Sequence, residues 1–238
     1  MTLDSHRHFH DELNHVKVRL LTMSGEAEAA LGMAVDALLN RDQAKAQSVI
    51  TGDRVIDNME MDVEEQTINL LALQQPMARD LRMLTSALKI ANDLERVGDH
   101  AVNIAESAER LNQVRPIAPE PEIIEMARLA REMLSDSLEA FIRSDAVAAR
   151  EICMRDDQVD ALHRSVFRIL LTHMMEDPHT ISAGMELFLV SRNLERVADL
   201  ATNIAEDVVF LVEGKSIKHH AEDRGEARPS GAHTSPLA

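Results

Sequence analysis

Residues 92–106 read Asn-Asp-Leu-Glu-Arg-Val-Gly-Asp-His-Ala-Val-Asn-Ile-Ala-Glu, and residues 192–206 read Arg-Asn-Leu-Glu-Arg-Val-Ala-Asp-Leu-Ala-Thr-Asn-Ile-Ala-Glu. The two stretches align without a gap, Glu95 on Glu195 and Asp99 on Asp199. A repeat this long marks two similar units rather than a short-period solenoid. Apolar residues in each recur every three or four positions, the spacing of an amphipathic helix. On such a helix the paired carboxylates, four residues apart, share one face one turn apart. Like charges so placed repel by roughly 0.2–0.5 kcal/mol per pair. A chain that repeats the pair either relieves it with cations or uses it.

Working outward, helical periodicity covers almost the whole chain and predicts six long helices. The first runs from about Phe9 to Leu39 and the second from about Asp42 to Leu73, where Gln74-Gln75-Pro76 breaks it. The third starts near Pro76, since proline is favoured at a first helical position. Residues 113–121 hold three prolines and read as a stiff linker. The pattern then restarts, with helices over about Glu122–Arg143, Ala146–Glu176 and Thr180–Glu213. Short connections make sequential helices antiparallel neighbours. The fold class is therefore all-α, two tandem antiparallel three-helix bundles related by internal duplication. The first bundle spans 1–112, the linker 113–121, the second bundle 122–213. A tail over 214–238, rich in Gly, Pro, Ser, His and charge, reads as disordered.

Composition supports helix and narrows function. There are 5 Phe and no Trp or Tyr among 238 residues, so the core must be aliphatic, with 13 Met as filler. Only 8 Gly and 7 Pro interrupt it. A net charge of −16 repels phosphate backbones and anionic lipid, arguing against nucleic acid and against direct membrane docking. The single Cys153 excludes an internal disulfide framework and a cysteine-rich zinc site. No apolar run is long enough to span a bilayer, and the first residues lack a signal core. These features read as a cytoplasmic protein.

The second helix of each triplet carries its own pair: Asp53 with Asp57, and Asp156 with Asp160. Glu60 and Glu64 continue the first stripe, whereas His163 and Phe167 take those places in the second unit. Antiparallel packing of the second and third helices would bring two pairs together in each bundle. Four carboxylates side by side repel unless a polyvalent cation lies between them, and oxygen donors suit Mg²⁺, Ca²⁺, Mn²⁺ or Fe³⁺. On a helical wheel the stripe of Asn92, Glu95, Asp99, Asn103 and Glu106 lies opposite the apolar residues. The expected sites are thus at the surface and partly open to solvent. The plain alternative is a solvated face, with Arg96 and Arg196 pairing to Asp99 and Asp199 at i, i+3.

The Leu-Glu-Arg-Val-(Gly/Ala)-Asp core, the paired acidic motifs, Val55-Ile56-Asp57-Asn58-Met59-Glu60 and the six-helix duplication resemble the PhoU family of phosphate-signalling regulators, over roughly residues 9–213. The resemblance implies two three-helix bundles with multinuclear iron or zinc clusters at the surface. It implies Asp53, Asp57, Glu95 and Asp99 as ligands of one cluster, and Asp156, Asp160, Glu195 and Asp199 as ligands of the other. It also implies a non-enzymatic role, repressing the phosphate-starvation response when phosphate is plentiful. The implied partners are the ATPase of the phosphate ABC transporter and a membrane sensor histidine kinase. A homodimer is expected, with the membrane reached only through partners.

Other signals are weaker. Glu12-x-x-His15 is a lone copy of a motif that di-iron bundles use twice, facing inward. The His-rich start (His6, His8, His10, His15) reads as a terminus rather than a metal site. The alternative function, a carboxylate-bridged hydrolase or oxidase, needs open coordination positions beside an acid or base in a shaped pocket. No Gly-rich phosphate loop, nucleophile elbow or Cys-x-x-Cys is present.

Overall fold

The structure, a computed structural model, describes residues 3–115 and 119–217. It contains α1 (Leu3–Asn40), α2 (Gln43–Gly52), α3 (Arg54–Gln74), α4 (Ala78–Asn112), α5 (Pro121–Arg143), α6 (Ala146–Cys153), α7 (Asp156–Glu176) and α8 (Ile181–Glu213), with a 3-10 turn at Pro178–Thr180 before α8. No strand occurs among the described residues. The fold is all-α. One three-helix bundle is formed by α1, the α2–α3 pair and α4. The other is formed by α5, the α6–α7 pair and α8.

The first turn of each bundle is built twice from the same chemistry. Arg41 (φ 53°) and Ser144 (φ 54°) adopt the left-handed conformation just past α1 and α5. The next residues, Asp42 and Asp145, are extended N-caps. Each carboxylate accepts from two backbone N–H groups, at 3.1 Å from Ala44 and Lys45 and at 3.0 Å from Val147 and Ala148. This satisfies donors that the start of a helix leaves without partners.

Three details differ from the pattern read in the sequence. Each middle helix is broken rather than continuous, at Asp53 and at Met154–Arg155. Asp53 stays right-handed (φ −49°, ψ −42°), so the break is a bend and not a loop. Gly52 is a poor helix former on one side of it. On the other side, Asp57 sits in the first turn of α3, as Asp156 and Asp157 do in α7. There the helix dipole favours negative charge. The bend thus sets the acidic motifs at fresh helix starts. Second, α4 begins at Ala78 after an extended Met77, leaving Pro76 outside the helix. Third, α1 starts at Leu3, ahead of the buried Phe9. The linker and tail readings fall in part on residues 116–118 and 218–238, outside the described residues. Gly214 (φ 72°) ends α8, and Ile217 beyond it packs against the core.

Helices α4 and α8 form the centre of the molecule and run antiparallel. Arg82 Nε donates to Leu211 O at 3.2 Å, His100 Nδ1 lies 2.9 Å from Asn193 Oδ1, and Arg110 Nε lies 2.9 Å from Glu186 Oε2. Counterpart residues are 100 apart, so α4 and α8 cross their own equivalents near Val97 and Val197, both fully buried. A pseudo-two-fold axis passes there, and both acidic motifs flank it. Alanines line the two helices (Ala87, Ala91, Ala101, Ala105, Ala198, Ala201, Ala205), all buried. Small side chains of this kind let helix backbones approach closely.

One close approach also links α3 to α4. A Cβ added at Gly98 would lie 3.0 Å from Ile56 Cδ1 and 3.4 Å from Asp53 Oδ1. In the second unit Ala198 stands at the place of Gly98, and Val159 at that of Ile56. One carbon has moved from the middle helix to the third.

Candidate functional site

The bends place Asp53, Asp57 and Glu60 beside Glu95 and Asp99 of α4. Burial pushes the Glu95 carboxyl up, and Asp99, Asp57, Glu60 and Asp53 push it further. Asp53 is raised by burial, then by Asp57 and Asp99. Glu60 is raised by burial, then by Glu64 and Asp57. The four carboxylates marked in the sequence therefore share one field, with Glu60 as a fifth member. Among the described residues no Lys, Arg or His nitrogen lies within 4 Å of any of the five. Arg96 does not pair with Asp99 as the i, i+3 pattern suggested. It turns back to Asp93 Oδ1, 3.7 Å away. Asp93 is buried at 7% exposure whereas Asp99 is exposed, so the buried carboxylate has the stronger claim on a cation.

The second cluster gathers Asp156 and Asp160 of α7 with Glu195 and Asp199 of α8. Burial, followed by Asp199, Asp160, Asp157 and Glu195, pushes Asp156 up to about 6. This cluster does hold cations. Arg196 Nη1 lies 3.0 Å from Asp199 Oδ2 and its Nε 3.5 Å from Glu195 Oε2, while Arg164 lies 3.5 Å from Asp160. His163, at the place of Glu60, bonds Ser191 Oγ at 3.0 Å and stacks on Phe188 at 5.4 Å. Phe167, at the place of Glu64, meets Phe188 at 5.5 Å and is about half exposed. Two acids have thus become an aromatic patch. Between the clusters, near the pseudo-axis, a cleft of about 400 Å³ is lined by Arg96, Arg196, Asp156, Asp199 and Glu206.

Both clusters offer only carboxylate oxygens, the set that hard cations take. Their mutual repulsion is the field a cation relieves. The side chains lie side by side without converging: among the described residues, no three His, Cys, Asp or Glu groups are set to hold one ion. Donor type and charge fit a cation.

The raised Asp156 carries a pH prediction for the metal-free chain. Its carboxyl binds a proton more tightly folded than unfolded, so stability falls as pH rises from the ordinary aspartate range through about 6. His100 and His163 are lowered by burial and act in the opposite sense, losing stability as pH falls through the ordinary histidine range. Comparison with Asp156→Asn isolates the aspartate. In the presence of chelator, the wild-type Tm should drop relative to the variant between about pH 4 and 6. Parallel Tm profiles would refute the strained carboxylate.

Sequence reasoning missed a polar seam between the bundles. Asp207 of α8, 1% exposed, lies 3.2 Å from Lys89 Nζ, whose ammonium also sits 5.2 Å over the Phe210 ring. The available signal was an aspartate at an apolar position of the helical pattern. The lone Glu12-x-x-His15 motif lies on the outer face of α1, with His15 exposed. No helix of the described residues is long and apolar enough to cross a membrane.

Comparison with known proteins adds to this geometry. The model of the PhoU domain matches residues 20–108 and 123–208, once per bundle. The phosphate-specific transport system accessory protein PhoU homolog of Caulobacter vibrioides is 39% identical over 218 residues, 91% of this chain and 95% of that protein. The protein of the same name from Aquifex aeolicus is 40% identical over 216 residues, 90% and 98% of the two chains. The crystal structure of PhoU from Pseudomonas aeruginosa superposes with a TM-score of 0.84 at 38% identity, covering 87% of this chain and all of that one. The phosphate transport system regulatory protein PhoU from Streptococcus pneumoniae gives 0.82 at 30% identity, covering 88% and 99%.

Proposed function

The chain belongs to the PhoU family, and from that premise we propose that it is an accessory and regulatory protein of a phosphate-specific transport system. It is a non-enzymatic, metal-binding adaptor that restrains phosphate uptake and the phosphate-starvation response when phosphate is plentiful. Its partners are the ATPase subunit of the phosphate ABC transporter and the sensor histidine kinase of the phosphate two-component system. It works in the cytoplasm, as a homodimer, and meets the membrane only through those partners. The observation that carries this reading is the pair of carboxylate clusters at equivalent places in a chain matched over about nine tenths of its length by proteins named as transport accessories.

Asp53, Asp57, Glu95 and Asp99 would hold one metal centre, and Asp156, Asp160, Glu195 and Asp199 the other. Iron or zinc is the family expectation, with manganese, magnesium or calcium compatible with oxygen donors. A bound cation supplies positive charge where the clusters repel themselves. The protein's own contribution is to hold two acids at the helix start that follows a bend beside two acids of the neighbouring long helix. The relatives are named as accessory proteins, which favours this reading over a carboxylate-bridged enzyme.

The test is deletion of the chain in its source organism. The phosphate-starvation response should then stay switched on in high phosphate, and the full chain supplied in trans should switch it off. An unchanged response in the deletion strain would sink the regulatory reading.

A further inference from the structure

We propose that a second, unrelated site binds a small organic oxyanion: a cavity of about 430 Å³ at the junction of the two bundles, lined about equally by apolar and polar side chains, with Lys17 and Arg79 among them. It is walled by α1 and α4 from one bundle and by the ends of α5 and α8 from the other. Its floor is the buried Met83 and Phe141. Asn14 and Ser144 add an amide and a hydroxyl, and Asp80 is the one carboxylate in the lining. Arg79 precedes Glu95 by 16 positions on α4. At about 1.5 Å per residue the cavity lies roughly 24 Å from the carboxylate cluster.

The argument is one of charge. The chain has 41 acidic residues against 25 Lys and Arg. Several cations hold a carboxylate: Arg19, Lys45, Lys89, Arg110, Arg128 and Arg150 each have one. Among the described residues Lys17 and Arg79 hold none within 4 Å, although Lys17 is half-buried and both face the same cavity. Two cations with no carboxylate oxygen within 4 Å among the described residues, beside the apolar Met83 and Phe141, offer an oxyanion two contacts on a partly apolar slot, with Asp80 the one acid in the same lining. Small-molecule sites fall in the same volume range and set convergent polar groups against apolar walls. A guanidinium grips two oxygens of a carboxylate or phosphoryl group at once, and the lysine adds a point charge. The ligand is therefore a carboxylate or phosphoryl head on an apolar body. Binding it would tie the first bundle to the second.

The test uses full-length protein and calorimetric titration with 1-naphthyl phosphate, 1-naphthoate, neutral 1-naphthol and inorganic phosphate. At least one naphthyl anion should bind one to one, at least about tenfold tighter than naphthol and than inorganic phosphate. Whichever head binds tighter names the ligand's source. Lys17→Gln with Arg79→Gln removes both charge-assisted contacts and should weaken the anion by at least about tenfold, or about 1.4 kcal/mol. An unchanged melting curve would show that the variant folds. Phe141→Leu, a second variant, should weaken the naphthyl anions while leaving inorganic phosphate unaltered. Equal binding of naphthol and the anions, anion binding unaffected by the double variant, or no naphthyl binding at millimolar concentration would each overturn the site.

Discussion

Replacing Glu95 by Gln and Asp99 by Asn should remove one of the two proposed metal centres, so that elemental analysis of the purified chain reads about half the wild-type metal. Both side chains are partly exposed, and neither has a cation partner among the described residues. The amides keep the shape and remove the charge, so the bundle should fold. Without metal, the variant should melt slightly above wild type, because one i, i+4 repulsion of roughly 0.2–0.5 kcal/mol is gone. A fall in metal with a rise in metal-free stability separates a ligand pair from a structural one. Glu195→Gln with Asp199→Asn should remove the other half of the metal. Its gain in metal-free stability should be smaller, since Arg196 already offsets those charges at 3.0 and 3.5 Å. Unchanged metal in both variants would end the ligand assignment. A wild type that takes up no iron, zinc or manganese on reconstitution would reduce the clusters to solvated faces.

Gly98→Val should be the most damaging single change at the seam between α3 and α4, at about 1–3 kcal/mol in urea denaturation. A Cβ alone already stands 3.0 Å from Ile56 Cδ1, and valine adds two more carbons toward the bend that carries Asp53. Gly98→Ala sets a helix-propensity gain of about 0.8–1 kcal/mol against that contact. Ile56→Val alone leaves a void and costs about 0.5–1.5 kcal/mol. Together they reproduce the pairing of Ala198 with Val159, and the double variant should be more stable than the two single effects added. Strict additivity would mean that the two positions do not share the space.

The helical class and the duplication were legible because a 3.6-residue period and a gap-free match are both global signals, spread over dozens of residues. The meeting of Asp53 and Asp57 with Glu95 and Asp99 was legible for a related reason. Four-residue spacing fixes a helix face, and short turns fix antiparallel neighbours. The bends at Asp53 and Arg155 were not, because a single Gly52 or an acidic first turn shifts helix preference by about 1 kcal/mol or less, below what a pattern can show. Arg96 illustrates a symmetric choice. Asp93 and Asp99 are both three residues away, and only their burial, a tertiary property, decides between them. The rim of Lys17 and Arg79 is assembled from helices far apart in the chain, so no local motif announces it.

The antiparallel crossing of α4 and α8 has a consequence for recognition. An object with a pseudo-two-fold axis offers a partner two nearly equivalent poses, related by half a turn. A partner that read only the backbone and the shared acidic motifs would occupy both, and the complex would have no direction. The exchange of Glu60 and Glu64 for His163 and Phe167 removes that degeneracy. One pole presents acids without counter-charges, and the other presents rings and an arginine-tempered field. A basic contact surface is drawn to the first pole and an apolar one to the second. The chain therefore has a front and a back, written onto a scaffold whose backbone has neither.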